Sequence, residues 1–158
     1  MKTKIKKVLY EAAINTFEDI CFMYAVPELK DSQNDLALEA AAEVKYQGDY
    51  TGRLLIETRG GLFSAIAANM LSSGNPTPRQ KKDALGEIAN IICGNILPSL
   101  GGRGYETGTP QFLSKDKLLK EKGQDKPLAE ITLNFNEGRA DVKLFVAATL
   151  TPRRKNSD

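Results

Sequence analysis

Apolar positions along the chain follow two rhythms, one near 3.6 residues and one of 2, and the change-overs mark its elements. From about residue 3 to 25 the spacing is helical, and the helix is expected to stop ahead of Pro27. Residues 28–39 read as a polar connection. Ala42, Val44 and Tyr46 then alternate with Glu43, Lys45 and Gln47, the period of a half-buried strand. Gly48-Asp49 turns the chain, and Tyr50 through Thr58 supplies the returning strand. Gly60-Gly61 breaks the pattern, Leu62–Leu71 resumes as a short helix, and Ser72–Pro76 is a loop. Thr77 is placed to cap a long helix with Pro78 at its first position. That helix ends near Leu97-Pro98. A strand is expected around Glu106–Leu113, then a charged loop over residues 115–127. Ile131, Leu133 and Phe135 alternate and Asn136-Glu137-Gly138 turns the chain. Ala140, Val142, Leu144, Val146 and Ala148 complete a long second hairpin.

The order is helix–hairpin–helix, then helix–strand–hairpin. Hairpins without βαβ alternation imply an α+β fold, an antiparallel sheet with long helices packed on one face, built as two pseudo-duplicated helix-plus-hairpin halves. Residues 1–152 are expected to form a single domain, with 153–158 as a polar tail. Phe17, Phe22, Tyr24, Phe63 and Phe145 are expected to fill the core.

The long helix carries a second pattern. Asp83, Glu87 and Asn90, at i, i+4 and i+7, share one stripe, and Gly94 extends it. Leu85, Ile88, Ala89, Ile92 and Ile96 form the opposite, apolar stripe. Asn and Gly each cost roughly 0.5–1 kcal/mol against Ala in a helix interior, so helix formation does not ask for them here. A carboxylate, a carboxamide and a bare backbone patch are displayed on a rigid rod. The ordinary meaning of such a triplet is a solvated face.

Composition narrows the chemistry. The 158 residues contain no histidine, which excludes Ser-His-Asp and Cys-His catalysis, a phosphohistidine relay and most zinc sites. Neither a G-x-x-x-x-G-K-[ST] loop nor a G-x-G-x-x-G fingerprint is present. A net charge of +2, much of its base at the two ends, gives no reason to expect nucleic acid. No apolar run of about 18 residues would span a membrane, and no leader with a small-residue cleavage site is seen. Cys21 and Cys93 are single cysteines within helical patterns, which suits a reducing compartment. The protein is expected to be cytoplasmic, without nucleic-acid or membrane partners and without a metal of its own. Gly101-Gly102-Arg103-Gly104 reads as a flexible turn before it reads as an anion cradle. The lysines of 115–126 read as a solvated loop before a steering surface.

Asp-x3-Glu-x2-Asn on a helix, followed at a strand by the proline of Gly108-Thr109-Pro110, resembles the CheC/CheX/FliY chemotaxis phosphatases. The order of elements is similar to a CheX-like domain over essentially the whole chain. Nineteen residues separate Asn90 from Pro110, a few fewer than is usual in that family. The resemblance implies a phosphatase acting on the phosphoaspartate of a CheY-like response regulator, which ends a chemotaxis or two-component signal. Glu87 and Asn90 would be its catalytic pair; Asp83, Gly94 and Pro110 would meet the partner. Mg²⁺ would be supplied by the regulator, and a homodimer is implied. In the first helix Glu18-Asp-Ile-Cys21 has the spacing for a second site, but cysteine stands where the carboxamide belongs, so one working site is expected. The rival reading is a non-catalytic module that binds or sequesters a phosphorylated receiver. A structural part of a flagellar or sensory assembly is a third.

Overall fold

The alternation at 42–46 forms part of strand β1 (Leu38–Gln47), which pairs antiparallel with β2 (Gly52–Gly60) across the turn at Gly48–Tyr50. The structure is a computed structural model that describes residues 2–27, 36–121 and 126–147. The remaining elements are α1 (Lys2–Cys21), α2 (Leu62–Leu71), α3 (Pro78–Ile96), β3 (Glu106–Thr107), β4 (Gln111–Leu113), α4 (Lys115–Glu121), β5 (Ala129–Phe135) and β6 (Gly138–Val146), with a 3₁₀ turn at Leu97–Leu100. Every pairing in the sheet is antiparallel, in the order β3-β1-β2-β6-β5, with β4 also on the outer edge of β1.

The two hairpins meet at the central β2–β6 pair. Helix α1, from the first half, lies on β5, and α3, from the second half, lies on β1. Each half thus covers the other's hairpin, the arrangement expected of a duplicated helix-plus-hairpin unit. Between helices and sheet lies one apolar core containing Leu9, Phe17, Val44, Leu54, Ile56, Ile66, Leu85, Ile88, Ile92, Phe135 and Val142. The antiparallel α+β architecture read from the sequence is the one observed.

Five local expectations are corrected. Helix α1 stops at Cys21, not near residue 25: Phe22 takes a left-handed φ of 54° and the Met23 N–H closes onto the Phe17 carbonyl at 3.1 Å. Ending there lets Met23 enter the core and Val26 donate to Asn134 on the β5 edge at 2.7 Å. The same turn throws Phe22 and Tyr24 outward, 68% and 65% exposed, so these two do not fill the core. The strand over 106–113 is two short strands, because Pro110 has no N–H to give the ladder. The region from 115 is not all loop: α4 forms where the Ser114 hydroxyl accepts from the Lys117 N–H at 3.3 Å. Its Leu118 packs with Ala41, Leu55, Leu113 and Phe145 on the far face of the sheet. Strand β1 begins at Leu38, inside the stretch read as a connection; residues 28–35 of that stretch, and Ala148, lie outside the described residues.

The far face also buries charge. Glu57 pairs with Lys143 at 3.0 Å, Asp141 with Arg59 and Arg139 at 3.2 and 3.1 Å, and Glu43 with Arg53 at 2.9 Å. Opposite charges on adjacent strands, and for Arg139 two residues along the same strand, let these carboxylates be buried. Among the described residues, no helix is long and apolar enough to cross a membrane.

Candidate functional site

Helix α3 begins where the sequence places it. The Thr77 hydroxyl accepts from the Gln80 N–H at 3.1 Å, and the Gln80 carboxamide oxygen accepts from the Thr77 N–H at 2.8 Å, a complete capping box with Pro78 behind it. From that fixed start the register sends Leu85, Ile88, Ala89, Ile92, Cys93 and Ile96 into the core, each with no exposed surface. The opposite face carries Asp83, Glu87 and Gly94 exposed and Asn90 half-buried. Among the described residues no hydrogen bond or ion pair engages the side chains of Asp83, Glu87 or Asn90. A Cβ on Gly94 would meet nothing within 4 Å.

Pro110 joins this face from the sheet edge. Its ring rests against α3 at Gly86, where a Cβ would stand 3.1 Å from the proline Cβ. Beside it the Phe112 ring lies 5.8 Å from that of Phe63 and under the Lys82 ammonium at 4.9 Å. The structure therefore brings Asp83, Glu87, Asn90 and Pro110 to one surface, with Gly94 open at its far end. Gly86 is the residue missed. Its signal was available, since a helix-interior glycine costs about 1 kcal/mol against Ala and invites a packing reason.

This surface is the outward side of α3, with Asp83 and Glu87 exposed. A groove of about 800 Å³ runs nearby along Lys45, Tyr46, Gln47, Thr51, Gly52, Glu106, Thr107 and Gly108, and none of Asp83, Glu87 and Asn90 lines it. Small molecules are held in concave sites, whereas an exposed polar helix face suits contact with a macromolecular partner. A carboxylate and a carboxamide one turn apart offer an anion for a cationic group, plus a donor and an acceptor for a water.

On the first helix, the residue at the spacing of the carboxamide is Cys21. Cys21 is fully buried, and burial pushes its thiol up to about 12. Cys93, on the inner side of α3, is raised to about 12 for the same reason. Burial also drives the Tyr46 hydroxyl upward, where it donates to the Phe145 carbonyl at 2.7 Å. The Gly101–Gly104 turn is not a free anion cradle, because the Arg103 N–H already donates to the Asp49 carboxylate at 2.8 Å. Among the described residues, no group of three or more His, Cys, Asp or Glu side chains could hold a metal ion.

The family model described as chemotaxis phosphatase CheX matches residues 40–134. Curated proteins give no match. Solved structures do. A chemotaxis protein CheX from Desulfovibrio desulfuricans is 20% identical with a TM-score of 0.68, over 91% of this chain and 99% of that one. A chemotaxis protein from Desulfovibrio vulgaris Hildenborough is 18% identical with a TM-score of 0.69, over 91% and 97%. The CheX–CheY–BeF₃–Mg²⁺ complex from Borrelia burgdorferi contains a chain 17% identical with a TM-score of 0.61, over 89% and 96%. At these identities the likeness establishes a shared fold.

Proposed function

The chain belongs to the CheX family of chemotaxis phosphatases, and on that premise we propose that it hydrolyses the phosphoaspartate of a CheY-like response regulator. The observation that carries the reading is the pair Glu87 and Asn90, outward on a capped helix and free of partners within the described chain. The complex of a structural relative with CheY, BeF₃ and Mg²⁺ supports a receiver as the partner class.

An aspartyl phosphate is an activated acyl phosphate, so hydrolysis needs an in-line water and neutralised charge more than new covalent chemistry. A Mg²⁺ held by the receiver would supply charge neutralisation at the phosphoryl oxygens. Asn90 orients the water: its carboxamide oxygen accepts a water hydrogen while its NH₂ can donate, as a water-positioning glutamine does in GTPases. The water oxygen bonds to phosphorus, the acyl P–O bond breaks, and the pair in that bond stays on the receiver's carboxylate. The water's proton leaves with the products, and inorganic phosphate is released. Glu87 pairs with the receiver's lysine and sets the docking register. Asp83 lies at the margin of this contact, Gly94 gives the receiver's loops clearance, and Pro110 walls the far side. A homodimer uses the β5 edge, along which, among the described residues, Val26 bridges to Asn134.

The test is incubation of the protein with several phosphorylated receivers while phosphate loss is followed. Accelerated loss from at least one supports the reading. Binding that leaves every receiver's phosphate in place would favour the sequestering module instead.

A further inference from the structure

Gly86 is buried in α3, one residue before Glu87 and one turn before Asn90. At 3.1 Å, a Cβ there would force the Pro110 Cβ to yield by a few tenths of an ångström. Pro110 has little room to yield. On one side the Gly108 N–H donates to the Lys45 carbonyl at 2.8 Å; on the other Gln111 is in register with Glu43 on β1. Phe112 is held between Phe63 and Lys82. Helical side chains lean toward the N-terminus, so Asn90 reaches back over the turn at 86–87 on which Pro110 rests. In keeping with this, Asn90 is half-buried while Asp83, Glu87 and Gly94 are exposed.

We propose that Gly86 is a positioning residue: its bare Cα seats Pro110 against α3, and the seated ring walls the Asn90 carboxamide into its working orientation. The proposal rests on the phosphatase reading and deepens it. Gly86 touches no reacting atom; it acts through Pro110.

The test is a double-mutant cycle on the intact chain with a phosphorylated receiver. A misplacement of 1 Å can cost about a hundredfold in rate, so a few tenths from Gly86→Ala should lower kcat roughly three- to tenfold. KM should stay within about twofold, and the melting temperature should fall by a few degrees, because crowding a ring with little room to yield outweighs the helix-forming advantage of Ala. Pro110→Gly removes the atoms the new methyl would meet. In that background Gly86→Ala should cost nothing further, a non-additivity expected only of contacting residues. A merely structural glycine would lose stability as well but keep kcat per folded molecule. If Gly86→Ala fails to fold, recovery of folding in the double variant supports the seat, and continued failure overturns it. Unchanged kcat in an active protein, or full additivity, overturns this inference alone. A wild-type protein inactive on every receiver overturns the phosphatase reading and the inference with it.

Discussion

Replacing Gly94 separates what the fold needs from what the docking face needs. It lies in the interior of α3, and a Cβ there has open space on every side to 4 Å. Gly94→Ala therefore creates no clash and gains the helix-propensity difference, about 0.8–1.0 kcal/mol, partly by narrowing the unfolded ensemble. That is roughly a fivefold change in the folding equilibrium. For a chain of 158 residues it raises the melting temperature by about 2–4 °C. Gly94→Phe also projects into solvent and should melt no lower than wild type. On the receiver the two should part company. A benzyl group in a close interface resembles overpacking, which costs about 1–3 kcal/mol, so dephosphorylation should fall roughly tenfold or more. Thermal melts of the isolated protein and phosphate release at subsaturating receiver measure the two effects. A drop in melting temperature for Gly94→Ala would mean the position is packed. Full activity in Gly94→Phe would mean the receiver does not approach α3 there.

Three further outcomes are expected. Glu18→Ala on α1 should leave turnover within about twofold, as surface changes away from a site do; a loss comparable to that of an Asn90 variant would reveal a second site. Cys21 and Cys93 should resist iodoacetamide in the folded protein near neutral pH. Because burial raises both thiols from 9.0 to about 12, the folded state keeps its protons longer than the unfolded one. Their contribution is therefore complete below about pH 9 and is lost as pH climbs toward 12. Urea midpoints should fall over that window, less steeply in Cys93→Ala, and equal slopes would refute the linkage. EDTA should halt the reaction with a receiver while leaving the melting temperature of the isolated protein where it was; a chelator-induced drop would expose a structural metal.

Much of this architecture is legible in the sequence because its signals are local. Thr77-Pro78 and Gln80 form the capping box that starts α3, and the apolar spacing from Leu85 to Ile96 fixes which face is buried. The alternation in β1, β5 and β6 gives the hairpins directly. What the sequence hides depends on distant partners. Phe22 ends α1 in a left-handed turn that no local signal favours, because Met23 and Val26 then reach the core and the β5 edge. Helix α4 forms from a lysine-rich stretch because Leu118 finds an apolar patch on the far face of the sheet. At the site, the Asp83–Glu87–Asn90 stripe follows from helical spacing alone. The seat of Pro110 on Gly86 joins residues two dozen positions apart in the chain and needs the β1–β4 pairing to be seen.

One side chain, Asn90, carries the proposed chemistry, and a single comparison tests it: phosphate release from a saturating phosphorylated receiver by wild type and by Asn90→Ala. Loss of a positioned catalytic group costs about a hundredfold or more, so the variant should be slower by at least that factor. Its melting temperature should be unchanged or slightly higher, since Ala replaces a poor helix former. Its affinity for the beryllofluoride-activated receiver should remain near that of wild type, because Glu87 sets the docking register. An Asn90→Ala variant that folds, binds and dephosphorylates at the wild-type rate would contradict the assignment.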